Sequence, residues 1–237
     1  MGEGRRKPDR SSRVRASRAL SRDLVFYDDG PVQRKFQQRF SPELDAFVAA
    51  SFAAHSEIES AGKHWPRNER VHYVLLFLHV GLNSLYTSAH FLVSGYQQAA
   101  GYQARSYGES CAMAMLLLAD AEWQAFSRQK TEYPAHKAMS RITRKATAQI
   151  LEKKLGFNLK GWDAYSSIHG LYDQFAHAGA FTLALHLNLG THATIVGGDF
   201  DAIKQPEYRG HIESLTRGAS SLAELTRRIG MHTSGIS

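Results

Sequence analysis

The chain has almost no cysteine. Cys111 is the only one in 237 residues, so no disulfide can form within the chain and a small fold held by covalent staples is excluded. A lone thiol inside the apolar run CAMAMLLLA reads as a small core residue, and such sparing use of cysteine predicts a reducing, cytoplasmic setting. Charge is missing from a long stretch: between Arg70 and Arg105 there is no Lys, Arg, Asp or Glu. That stretch does not read as a membrane span, because VHYVLLFLHVGLNSLYTSAHFLV carries three histidines, Asn83 and several hydroxyls, which a lipid-facing helix rarely holds. A buried central helix is predicted instead, with no membrane association. No apolar segment follows the N-terminal basic residues, so no secretory signal is read there.

What is present is an ordinary globular composition, 43% hydrophobic and 22% charged, with a basic tail attached. Residues 1–22 hold eight Lys/Arg and two acids, whereas the rest of the chain is close to neutral with 21 basic and 20 acidic residues. The overall pI near 9.5 is therefore a property of the tail. Arg- and Ser-rich with few apolar residues, residues 1–24 read as a disordered basic extension, and any nucleic-acid affinity is expected to reside there. Residues 25–237 read as a single domain.

Within that domain the periodicity is helical. Helices are predicted at 41–62 (opened by Ser41-Pro42 and stopped by Gly62), 66–94, 97–128, 134–156, 160–187 and 206–229. The stretch near 190–203, with ATIV followed by Gly-Gly, reads as a short hairpin or flap. The fold class is therefore all-α, an up-and-down bundle of about six helices.

Three of these helices carry polar stripes. Arg105 and Glu109 are four apart and share a face with Tyr102, Met113 and Leu116, so the pair is expected to point inward and to need mutual compensation. His169 shares a face with Tyr165, Ala176 and Leu183, and Asp173 and His177 lie at its edge. His72, His79, Asn83, Tyr86 and His90 fall within one narrow sector that carries no charge, which implies a surface covered either by the bundle or by a partner, a second copy or another protein. The spacing of His169, Asp173 and His177 could place ligands on one helix, and IVGGDFD has the glycines of a phosphate loop without its Lys. Neither is enough to assign a metal or a cofactor.

The order of FLVSGY, QARSYGES and YSSIHGLYDQFAHAG resembles the uncharacterised bacterial helical domains grouped near the HEPN superfamily, over roughly residues 70–190. The resemblance implies a polar centre of Arg105, Glu109 and a late-helix histidine, His169 or His177. It also implies a nucleic-acid-processing or nucleotide-binding component of a bacterial defence or toxin–antitoxin system. HEPN ribonucleases use an Arg-polar-x-x-x-His element in which Arg stabilises phosphate charge and His moves a proton at the 2′-OH. Arg67 to His72, RNERVH, fits that spacing, although it opens the second helix where the family's element opens the last, and RRIGMH at Arg227 to His232 is a second match. The competing expectation is a non-catalytic interaction or scaffold protein whose polar cluster is structural.

Overall fold

In the computed structural model the chain is described at residues 29–129, 133, 152, 156, 184–191, 193–195 and 197–233. The predicted tail, the helix predicted at 134–156 except residues 152 and 156, the helix predicted at 160–187 up to residue 183, and with them His169 and His177, lie outside the described residues. Five α-helices occur among the described residues: α1 Gly30–His64, α2 Glu69–Val93, α3 Gln97–Leu116, α4 Asp120–Gln129 and α5 Gln205–Thr233, the last preceded by a 3-10 turn at Ala202–Lys204. The fold is all-α. None of the described helices is long and apolar enough to cross a membrane.

α1 begins earlier than Ser41-Pro42 predicts. Val32, Phe36 and Phe40 recur every four residues and are all buried, so the apolar face continues upstream and carries the helix back to Gly30, with Pro31 in its first turn. Ser41-Pro42 marks a kink inside α1 rather than its start. Phe40 has φ −127° and ψ 25°, and Pro42 supplies no amide for the helical hydrogen-bond ladder. α2 begins where Asn68 caps it, its Oδ1 accepting from the Val71 amide at 2.9 Å. The short connections 65–68 and 94–96 make α1, α2 and α3 successive antiparallel neighbours, and α5 returns across α1 and α2.

The helix predicted at 97–128 is broken. The last turn of α3 tightens, with Leu118 N donating to Met115 O at 3.1 Å and Ala119 N to Leu116 O at 2.9 Å. Arg70, from the start of α2, donates through Nε to Leu117 O at 2.6 Å and through Nη2 to Leu118 O. A guanidinium at the C-terminal carbonyls satisfies acceptors that the helix itself leaves open and complements the helix dipole. α4 then folds back, setting Phe126 edge-on to Tyr73 at 5.0 Å and to Tyr133 at 5.4 Å between ring centroids.

The expected hairpin near 190–203 is reduced to one antiparallel bridge, Leu187 with Thr194, and no strand forms among the described residues. Side chains take the amides that a second strand would have taken. Asn188 Oδ1 accepts from Gly190 N and Thr191 N at 3.0 Å each, and Asp201 Oδ2 accepts from Leu189 N at 2.6 Å. Of the two glycines at 197–198, Gly197 takes φ +94° and Gly198 serves close approach. A Cβ on Gly198 would sit 1.9 Å from Ser94 O, and Gly95 opposite it has φ +85°. Phe200 is thereby set edge-on against Phe36 at 5.0 Å and beside Tyr208 at 5.6 Å. Phe36, Phe40 and Tyr208 are each fully or almost fully buried, and burial of one such ring is worth about 1.5–3 kcal/mol.

Two glycines should respond in opposite directions. Gly198→Ala forces the loop off Ser94 and should destabilise by more than about 2 kcal/mol. Gly62, helical and open to solvent with nothing within 4 Å of a new Cβ, should gain up to about 1 kcal/mol as Ala. Urea midpoints of the two variants check both signs.

Candidate functional site

Arg105 and Glu109 form the expected pair, Nε to Oε1 at 2.9 Å along one turn of α3. The expected burial does not hold: the side chains are 26% and 41% exposed, and Tyr102 on the same face is 57% exposed. The physical reason lies on the opposite side of α3. Ala100, Gly101, Ala104 and Gly108 are small enough to bring α3 close to α2, where Ser88 Oγ donates to Ala100 O at 2.6 Å and Ser84 Oγ to Ser106 Oγ at 3.4 Å. Contact distance, not side-chain bulk, decides which face of the first half of α3 is buried. From Ser110 onward the helix is enclosed on all sides, and burial pushes the Cys111 thiol up to about 12, as expected of a core residue without nucleophilic function.

Arg67 and His72 flank the start of α2 and both are exposed. The polar slot of the Arg-polar-x-x-x-His spacing is Asn68, and its side chain is committed to capping α2. His72 turns edge-on to Tyr73, with centroids 6.0 Å apart. Sequence reasoning missed Arg70, two residues from His72, which is the cation of this region with a defined structural task. Its only local signal is that it closes the charged segment before the long uncharged one. The remaining histidines of α2, with Asn83 and Tyr86, are exposed as well, so the bundle itself does not cover the uncharged stripe.

A second polar assembly, unread in the sequence, lies where the 184–204 segment meets α5. Asp201 is buried and uses both carboxylate oxygens, Oδ2 on Leu189 N and Oδ1 on Ile203 N at 2.9 Å, while its own amide donates to Tyr208 Oη at 3.1 Å. Asn188 Nδ2 donates to Asp199 Oδ2 at 3.0 Å, and Lys204 Nζ donates to Ala184 O at 3.0 Å and Leu185 O at 3.3 Å. Burial lowers the Lys204 pKa while Asp201, Asp199 and Glu207 act against that shift; burial also pushes the Tyr208 phenol up to about 12. Every group here closes a loop or caps a turn, so this assembly is a clasp. Among the described residues no group of three His, Cys, Asp or Glu side chains could hold a metal ion.

Beside the clasp is a shallow concavity of about 390 Å³ lined by Lys35, Gln38 and Arg39 of α1, Phe200 and Gln205. Arg39 Nε donates to Gln205 Oε1, joining α1 to the head of α5 beside it. Arg34, Lys35 and Arg39 are exposed on one side of α1. Arg209 adds a fourth cation nearby, stacked over the Phe40 ring at 5.7 Å and paired with Glu43 at 2.8 Å, which holds the Glu43 carboxyl below its ordinary value. A cationic surface with a partly exposed aromatic ring is suited to phosphates and bases.

The two polar assemblies should differ in mutation. Glu109→Ala leaves Arg105 open to water and should cost about 1 kcal/mol or less. Asp201→Ala strands two amides inside the clasp and should cost about 2–4 kcal/mol. Chemical denaturation of both variants measures the contrast.

His211 on α5 gives a pH signature. Burial lowers its pKa from 6.5 to about 4, so between those values the unfolded chain binds more protons than the folded one. Stability is then complete above about pH 6.5 and falls as pH drops toward 4. From pH 7.5 to 5 this one group should remove about 2 kcal/mol, and His211→Leu should flatten that part of the profile, as read from urea midpoints across the range.

No family model matches this chain, and no curated protein or solved structure matches it either, so the assignment of function rests on the geometry of these residues.

Proposed function

We propose that the chain is a HEPN-like nucleic-acid-binding domain of a bacterial defence or toxin–antitoxin system. In this reading the basic tail and the Lys35–Arg39 concavity hold the phosphate backbone. Arg105 and Glu109, together with His169 or His177, are the centre where processing takes place. The observation that supports it is the concavity itself, lined by the exposed cations Lys35 and Arg39 of α1 and by the ring of Phe200. Arg105 and Glu109 are 26% and 41% exposed, so solvent reaches the pair. Arg67 and His72 stand as the weaker pair, because Asn68 is spent on the α2 cap.

Binding of a fluorescent single-stranded RNA at several salt concentrations tests this directly. Deleting residues 1–22 should remove most of the affinity, and adding Lys35→Glu and Arg39→Glu should remove the remainder. Loss of those two phosphate contacts should flatten the log–log salt slope by about 1.4. Cleavage of the same RNA in chelator, lost in Arg105→Ala and retained in His72→Ala, would place processing at the α3 centre. Salt-insensitive or undiminished binding by the truncated double variant would sink the proposal.

Exposed Val48, Phe52, Leu76 and Val80 on the outer side of α1 and α2 favour the alternative reading, a non-catalytic interaction or scaffold protein.

A further inference from the structure

The concavity beside the clasp holds more than cations. Lys35, Gln38 and Arg39 stand at i, i+3 and i+4 on one face of α1, and Phe200 and Gln205 complete the lining. Phe200 is held by three other rings: edge-on to Phe36 at 5.0 Å, tilted against Tyr208 at 5.6 Å, and 6.4 Å from Phe40. A ring fixed in this way is a platform that needs no ordering when a flat ligand arrives. Around it the hydrogen-bonding groups are unequal. Lys35 and Gln38 are exposed and make no hydrogen bond or ion pair among the described residues. Arg39 spends Nε on the Gln205 amide oxygen, which leaves Arg39 its Nη1 and Nη2 and leaves Gln205 the amide hydrogens of Nε2. The lining side chains therefore offer donors from four residues, against which Gln38 Oε1 is the acceptor not already engaged.

We propose that the concavity is a subsite for one unpaired RNA base, and that it selects a base carrying a carbonyl, as uracil does, where cytosine and adenine carry an amino group. This rests on the nucleic-acid-binding reading above and adds base recognition to the phosphate contacts. Size limits the ligand first. A volume of about 390 Å³ lies at the small end of ligand sites, roughly 300–1,000 Å³, and suits a single nucleotide unit instead of a base pair. In a duplex the bases are stacked on one another, so only an unpaired base can lay its face on Phe200. Lys35 and Arg39 then meet the adjoining phosphate, which positions the chain without reading it. Stacking chooses no base either, since every base has a π-face. The choice falls to the base edge. Uracil O4 and guanine O6 and N7 accept hydrogen bonds, whereas cytosine N4 and adenine N6 donate them. A wall rich in donors satisfies the carbonyls. Against an amino group it sets N–H facing N–H, with Gln38 Oε1 alone to receive it.

Fluorescence anisotropy of the full chain with oligo(U) and oligo(C) of equal length tests the choice, because the two share size, charge and backbone and differ at the base edge. Oligo(U) should bind at least about 5-fold more tightly. Gln38→Leu, at an exposed position, should bring the two within about 2-fold of each other while leaving the log–log salt slope unchanged, since it removes no charge. Phe200→Leu should weaken both by about 5-fold or more, with its urea midpoint separating lost stacking from lost folding. For the duplex of oligo(U) with oligo(A), wild type and Gln38→Leu should bind equally, because no base face is free. Salt-sensitive binding that ranks oligo(C) with oligo(U), or a ranking that Gln38→Leu leaves in place, overturns the base subsite while the phosphate-binding reading stands. Duplex binding weakened by Gln38→Leu, or unchanged affinity in folded Phe200→Leu, overturns it as well. Absence of salt-sensitive RNA binding overturns that reading and the subsite with it.

Discussion

The close approach of α2 to α3 is the constraint on which the rest of the molecule depends. It is made by what is missing from the side chains: Gly81, Ser84 and Ser88 on one helix face Ala100, Ala104 and Gly108 on the other, and a hydroxyl–carbonyl hydrogen bond at Ser88 closes the gap. A Cβ added to Gly81 would already touch Tyr107, Ser110 and Cys111 at 3.6–3.7 Å. With that side of α2 committed to α3, and the adjacent side to α5 through Leu85 and Gly218, only one side of the helix remains. That side carries the histidines and the exposed apolar residues. The same packing turns Arg105 and Glu109 to the edge of α3. Two surfaces that look unrelated thus follow from one helix contact.

Much of the architecture was legible because its signals are local. Asn68 caps the helix that follows it and Gly95 stops that helix, whereas the uncharged run after Arg70, expected to be buried, leaves one side of α2 exposed. The failures share a cause. The break after Leu116 depends on a guanidinium supplied from Arg70, 47 residues away, which no window along the chain contains. Depth was misjudged on α3 because bulky residues were read as the buried ones, whereas small residues set the distance between axes and bulk was left to fill whatever remained. The Gly-Gly of 197–198 read as a turn because positive φ is the usual reason for glycine; that holds for Gly197 at φ +94°, whereas Gly198 is required by the Ser94 carbonyl against which it lies.

The candidate sites divide along the same line. Arg105 and Glu109 were found from spacing alone and do meet, since an i, i+4 pair needs nothing but a helix. The basic concavity was not found, because its wall is assembled from α1, from Phe200 and from the head of α5, which are far apart in sequence. The tail drew attention away from it by accounting for nearly all the net charge. Arg34, Lys35 and Arg39 are balanced elsewhere in the chain, so composition hides them, and only their common side of α1 reveals a surface.

That surface and the apolar one ride on the same helix, on opposite sides of Phe40. The N-terminal segment of α1 belongs to the aromatic cluster with Phe200 and Tyr208, and the C-terminal segment belongs to the hairpin with α2. Proline at position 42 separates them, and the bend is taken up by the backbone torsions of a single residue. α1 is accordingly a jointed lever, whose two arms present different chemistry in directions fixed by one elbow. Straightening that elbow would reorient the cationic arm against the apolar one while leaving the composition of each arm untouched.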